Sequence, residues 1–448
     1  MSAGGVAFRF GYGLPLAAGA PTTADAVLAA LAGPDEMAAR FAIPSFAWQH
    51  ARSSEIARSK KVAETDPSLA ARITELDKDL DQAGFRALRA TIARAVDAKD
   101  SFRERLMAFW ADHFTVSSGG REQALTPATF AEDALRPHLA GRFGDMLSAV
   151  VHHPGMLIYL DQARSVGPNS PRAKRRGGGL NENLARELLE LHTMGVDAAY
   201  RQSDVRQLAE LLTGLTYDAR RGSAFNAGFV EPGPEEILGQ VYDGKGEAPI
   251  KAFLTDLAVH PATARHIARK LAVHFISDSP DQGMIEAMAR AWLETDGALS
   301  AVYAAMLRHP AAFAGPAVKA RQPWDFLIAA LRGLGVTGAQ VMDWPRERLV
   351  AVAILPLRAM GQAWKSPAGP DGWPEDIESW ITPQGLAERI GWAMRWPEIL
   401  GALPDPTRLA QTALGERASA ATLWAVARAE TRAEGVGIVF ASPEFNRR

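Results

Sequence analysis

Residues 101–114 read SFRERLMAFWADHF, and residues 180–196 read LNENLARELLELHTMGV. In the first stretch Leu106, Phe109, Trp110, His113 and Phe114 recur at the i, i+3, i+4, i+7 spacing of one helical face. In the second, Leu184, Leu188 and Leu191 form the apolar stripe, and Asn183, Arg186, Glu187 and Glu190 lie opposite. Working outward, the same period runs through 23–41, 67–97, 142–152, 203–212, 251–308, 322–334 and from Pro383 onward. It fails at 216–250, where AFNAGFV and EILGQVY flank Pro232-Gly233-Pro234 and predict one small hairpin near 225–242. A short apolar run at 436–440 is the other candidate strand. The expectation is a mainly α, multi-helix orthogonal or bundle-like fold with one small β-hairpin.

The chain has 448 residues, 47% of them apolar and 22% charged, with no cysteine and a formal net charge of −2. This composition excludes a disordered chain, a fibre and a disulfide scaffold, and with them thiolate chemistry. A near-neutral charge gives no field to attract nucleic acid. No apolar run reaches 18 residues, so no membrane span is expected. The N-terminus lacks a basic region, and Arg9 with nearby glycines interrupts any signal-like core. A cytoplasmic location is the default expectation, and the composition suits the periplasm equally.

The length suits an N-terminal helical segment (1–100), a core (101–335) and a C-terminal helical segment (336–448), packed as one compact unit. Two long irregular stretches interrupt the helices. Residues 164–180 hold two prolines, four glycines and five basic residues, which predicts that 166–179 is poorly ordered or lies as an exposed flap, with tryptic cleavage near Arg175-Arg176. Arg172, Lys174, Arg175 and Arg176 are candidates for gripping an anion. Residues 361–383 carry Trp364, Trp373 and Trp380, which line a pocket or cover a core edge. His-Pro recurs at 153–154, 260–261 and 309–310, each at a helix junction, where capping is the simple reading.

No phosphate loop, dinucleotide fingerprint, His-Glu-x-x-His or nucleophile elbow is present. The chemistry is carried by histidines that point inward. His113 sits mid-stripe, His192 falls in the apolar sector of its helix, and His274 lies beside Ile267, Leu271 and Phe275. A buried imidazole needs a hydrogen-bond partner or a metal. Glu187 and Glu190, one turn apart, can act on one ligand, or form a solvated face with Arg186 paired to Glu190. Candidate catalytic residues are therefore His113, Glu187, Glu190 and His192. Candidate ligands for a divalent metal cofactor are His113, Glu187, His192 and His274.

Several phrases, among them FWADHFTVS (109–117), HPGMLIYLDQARS (153–165), LNENLARELLELHTMGV (180–196) and HPATARHIARKLAVHF (260–275), resemble the large bacterial family called domain of unknown function 1800. The resemblance implies a mostly helical protein. It further implies a partner similar to alkaline phosphatases and sulfatases, encoded nearby. It marks His113, Asn181, Glu182, Asn183, Arg186, Glu187, Glu190 and His192 as recurrent polar positions, together with Arg265 and Lys270. Asn181, Asn183, Arg186, Arg265 and Lys270 are accordingly the substrate-binding candidates. Two departures stand out. Asp112 replaces the asparagine that relatives tend to have before the histidine, and Val230 stands where relatives commonly have histidine before Glu-Pro-Gly. Two functions are expected from these residues. One is a hydrolase- or lyase-type enzyme with a polar site between helices 101–114 and 181–194, roofed by the 164–180 loop. The alternative is a non-catalytic helical binding or assembly protein acting with the phosphatase/sulfatase-like partner.

Overall fold

A computed structural model describes residues 3–13, 19–60, 62, 66–117, 124–220, 222–315, 318–401 and 403–448. The fold is mainly α, with two small two-stranded antiparallel sheets among the described residues. No helix of the described residues is long and apolar enough to cross a membrane.

The apolar stripes of the helices meet in two large clusters. The first joins Ser101–His113, Phe143–His152, Asn183–Glu190, Gln202–Leu211, Ala248–Ala258 and Pro261–Phe275, with Phe10 inserted from the N-terminal helix. Phe10 stacks on Phe275 at 5.8 Å and meets Phe102 edge-on. The second joins the far half of the long Pro67–Asp97 helix to Pro323–Gly333, Pro383–Ile399, Pro406–Leu414 and Arg432–Ala441. The expected division at 335 falls inside this second cluster, because the Pro323–Gly333 helix is buried on nearly every face and packs with residues from both chain ends.

The His-Pro phrases behave as caps. Gly155 N donates to His153 Nδ1 at 2.9 Å, Ala262 N to His260 Nδ1 at 3.2 Å, and Ala311 N to His309 Nδ1 at 3.3 Å. Proline supplies the first helical φ, and the imidazole satisfies a free N–H of the first turn.

Three expectations need correction. The 224–230 and 236–242 segments do not pair with each other. Gly222–Phe225 turns back on Leu215–Asp218, and Glu235–Ile237 pairs with Gln240–Tyr242 across a two-residue turn. That turn is Leu238-Gly239, both at positive φ (52° and 77°), the conformation whose twist suits a tight hairpin. The run at 436–440 is not a strand but lies within the Arg432–Ala441 helix. Its apolar residues face the second cluster, where Gly435 has room only for hydrogen, since a Cβ there would lie 2.7 Å from Pro406.

The third correction concerns the loop, whose tip at 174–179 is exposed as a flap but which is ordered. Its base is built in: Val166 N bonds Gly179 O, Gly167 N bonds Phe229 O, and Arg172 N bonds Gly228 O. Glu231 is buried and accepts from Asn169 N at 2.8 Å and Asn169 Nδ2 at 2.5 Å. Ser170 is fully buried and caps a short helix, Pro171–Arg176, whose basic tip is exposed. Side-chain and backbone hydrogen bonds to the 226–231 turn offset the ordering entropy that composition alone left uncompensated. Replacing Glu231 with Ala strips two donors of their acceptor and should cost about 1–3 kcal/mol. Tryptic cleavage at Arg175 and Arg176 should accelerate in that variant. Equal cleavage rates for variant and wild type would show that Glu231 does not hold the loop.

Candidate functional site

The Ser101–His113 helix and the Pro261–Phe275 helix present their polar residues to one cleft of about 470 Å3. The turn after the Asn183–Glu190 helix, residues 194–198, and residues 371–375 complete its walls. His113, His266, Lys270, Asp112, Asp371 and Glu375 line it, with Trp373 on the apolar side.

The two histidines of the cleft perform one structural task. His113 Nε2 lies 3.1 Å from His192 O, and His266 Nε2 lies 3.3 Å from Leu191 O. A carbonyl only accepts, so both Nε2 atoms carry hydrogen and cap carbonyls that a helix end leaves unpaired. His113 Nδ1 is then a buried lone pair with no partner among the described residues. His192 is fully buried against Phe114 and His113, and neither of its ring nitrogens has a partner among the described residues. Burial and the Lys270 charge hold all three imidazoles neutral, His192 near 3 and His266 near 4. Gly195, at φ 92°, lets this turn close over His266, since a Cβ would come within 2.7 Å of His266 Nδ1.

Lys270 is the cleft lysine, and it stands among three carboxylates. It makes no hydrogen bond or ion pair among the described residues, although Asp112, Glu375 and Asp371 all act on it. Burial lowers its affinity for a proton, and those three carboxylates partly restore it. Asp112 moves the other way, pushed up to about 7 by burial and by the Glu375 carboxylate. Asp112 Oδ1 accepts from Trp373 N at 3.0 Å. The two chain segments touch here because residue 372 is glycine, whose Cβ would lie 2.7 Å from Asp112 O.

Glu375 is fixed from two sides. His274 Nδ1 lies 2.5 Å from its Oε1, and Lys319 Nζ lies 3.0 Å from its Oε2. On the far side of the ring, Arg105 donates to His274 Nε2 at 3.0 Å and to Asp325 Oδ2 at 2.6 Å. Arginine has only donors, so His274 Nε2 accepts and Nδ1–H faces Glu375. Burial alone would raise Glu375, but His274 and Lys319 hold it down at about 2.

The sequence candidates separate accordingly. His113 and His192 are neighbours, with ring centroids 6.1 Å apart, and Lys270 lies in the cleft. Arg265 stands at the rim, paired with Glu286 at 3.1 Å. Glu187 and Glu190 are not among the cleft residues. Arg186 bonds Glu190, Glu182 and Gln202 on an outer face, and Asn181 Oδ1 accepts from Asn183 N. Burial and Glu190 raise Glu187. His274 belongs to the Glu375 pair, and no three His, Asp or Glu among the described residues form a group that could hold a metal. Val230 packs beside Gly214 and does not line the cleft. Sequence reasoning passed over His266 in the 260–275 phrase, and over Asp112, Asp371 and Glu375, although the Asp112 departure and the tryptophan-rich 361–383 stretch pointed to those three.

Asp112 keeps its proton in the folded state between its ordinary value near 3.8 and about 7, where the unfolded chain has lost it. The folded state thus binds more protons in that window, and stability falls as pH rises through it. Asp112→Asn keeps the acceptor for Trp373 N and removes the titration. Its stability relative to wild type should improve progressively from pH 4 to pH 7 in urea unfolding. A difference independent of pH would show that Asp112 titrates normally.

The phrases quoted above extend to a match over nearly the whole chain. No curated protein and no solved structure matches it. Residues 7–447 match the family described as protein of unknown function (DUF1800), and the chain belongs to that family.

Proposed function

We propose that the protein is an enzyme of hydrolase or lyase type, with Asp112 and Lys270 as its proton-transfer pair in the 470 Å3 cleft. The observation that carries this reading is that the unpaired Lys270 and Asp112 share one cleft wall, where burial pushes the Asp112 carboxyl up to about 7. Acid–base catalysis works best with groups whose proton affinities lie near the working pH. Two titratable groups drawn from opposite directions toward neutrality, at one concave wall, are the usual sign of an acid and a base. Lys270, when neutral, takes a proton from water or from a carbon acid. Asp112, when protonated, gives one to the leaving group. His113 positions this pair through the 191–192 turn rather than reacting itself, and Arg265 stands where it can meet a substrate anion at the rim.

The binding or assembly reading has its own support in the Arg186 face, whose Glu182, Glu190 and Gln202 partners satisfy one another. On that reading this face meets the phosphatase/sulfatase-like partner and the cleft is silent.

The two readings part on Lys270. Trace labelling with acetic anhydride between pH 6 and 11, read by peptide mass spectrometry, should show Lys270 acylating at lower pH than the surface lysines. Turnover found in a panel of esters, amides, phosphate esters and sulfate esters should fall at least a hundredfold in both Lys270→Met and Asp112→Asn. An ordinary lysine titration, or turnover that survives either substitution, would overturn the enzyme reading.

A further inference from the structure

A second cavity, of about 110 Å3, lies on the inner side of Asp112 and Trp373, which face both spaces. It sits between the two apolar clusters. Met107, Ala108, Leu357 and Ile43 give it an aliphatic wall, and Trp324 and Trp364, with rings 4.8 Å apart, give it an aromatic one.

Most charges on its boundary are already committed. Arg136 donates to Glu104 at 3.0 and 2.9 Å and to Glu132 at 3.1 Å, and Arg94 reaches Glu132 at 2.6 Å. Asp325 is held by Arg105, and His274 by Glu375 and Arg105. Two donors are left over. Lys365 makes no hydrogen bond or ion pair among the described residues, and its Nζ stands 5.5 Å from the centre of the Trp364 ring. Its backbone is left-handed, at φ 48°, a strained conformation for a lysine and one that tends to persist at ligand sites. The second donor is Gln322 Nε2. Trp324 N donates to Gln362 Oε1 at 2.7 Å, so Gln362 Nε2 must donate to Gln322 Oε1, 2.9 Å away. That fixes the Gln322 amide and leaves its Nε2 buried with no partner among the described residues, on a side chain 8% exposed.

Two unsatisfied donors, one of them cationic, on the wall of an apolar space call for an acceptor-bearing ligand with an apolar body. A cavity of about 150 Å3 holds benzene, so this one suits a somewhat smaller body of about four to six carbons. We propose that the inner cavity binds a small carboxylic acid, its carboxylate on Lys365 and Gln322 and its hydrocarbon against the tryptophans. Burial lowers Lys365 to about 8, so it keeps its charge at neutral pH, and a carboxylate would meet an ammonium that no other group among the described residues has taken. An inorganic anion does not, because the aliphatic and indole walls offer it nothing. The inference stands apart from the acid–base reading of the outer cleft.

The test is calorimetric titration of the intact protein with isovalerate and benzoate, with 3-methylbutan-1-ol and inorganic phosphate as controls. Isovalerate should bind saturably at one site, at least tenfold tighter than the alcohol, with phosphate silent. Lys365→Met should weaken isovalerate at least tenfold and leave the alcohol unchanged. Isovalerate should protect Lys365, and not Lys270, from trace acetic anhydride. If Lys365→Met does not fold, Gln322→Leu serves in its place, with a several-fold loss expected. Absence of saturable binding by both acids overturns the proposal. So does acid binding indifferent to both substitutions, or phosphate competing as well as isovalerate.

Discussion

The Glu375 carboxylate is half-buried between the two apolar clusters, where a paired charge is far better tolerated than an isolated one. It is stabilised by His274 on one side and Lys319 on the other. His274 comes from the first cluster and leads through Arg105 to Asp325 on a helix of the second. Lys319 leads to Asp278, whose other oxygen accepts from Ile377 N. The members of this series pair with one another, so moving one leaves a largely buried charge without its partner. The 371–377 segment is thereby held against the Ser101–His113 helix, and both cavities exist because it is held there.

The same bookkeeping of partners distinguishes structural charges from available ones. Arg136, Arg94, Arg105 and Lys319 are each paired with a carboxylate. Lys270 and Lys365 have not, and each faces a cavity. Asp112 stands between them as the one boundary carboxyl that both lysines act on. Its high proton affinity gives it, when neutral, the shape and charge of the asparagine that the family resemblance implies at this position. The departure at Asp112 therefore keeps the geometry while adding a proton that can leave.

The helices were legible in sequence because burial of a stripe imposes a period on each of them separately. The caps were legible for the same local reason, down to His153, His260 and His309. The inward direction of His113, His192 and His274 was also legible. Their partners were not: a ring nitrogen bonds whatever carbonyl or carboxylate the fold delivers, and for His113 that is a backbone oxygen 79 residues away. Glu187 and Glu190 looked like ligands because one helix places them together. Which way that pair faces is set by the packing of the helix: neither residue lines the cleft, although Asp371 of the cleft wall acts on Glu187.

The sequence by itself determined the α class, the family and the set of inward imidazoles, because each rests on local periodicity or on phrases kept in order. Tertiary structure alone decided the site. Asp112 and Trp373 lie 261 residues apart and meet through one hydrogen bond from the Trp373 N–H to the Asp112 carboxyl, allowed by the missing Cβ of Gly372. Gln322 Nε2 is left without a partner among the described residues because Trp324 N and Gln362 fix the orientation of its amide. Charge pairing over such separations leaves no period in the chain, since it depends on which groups the folded backbone brings within hydrogen-bond reach.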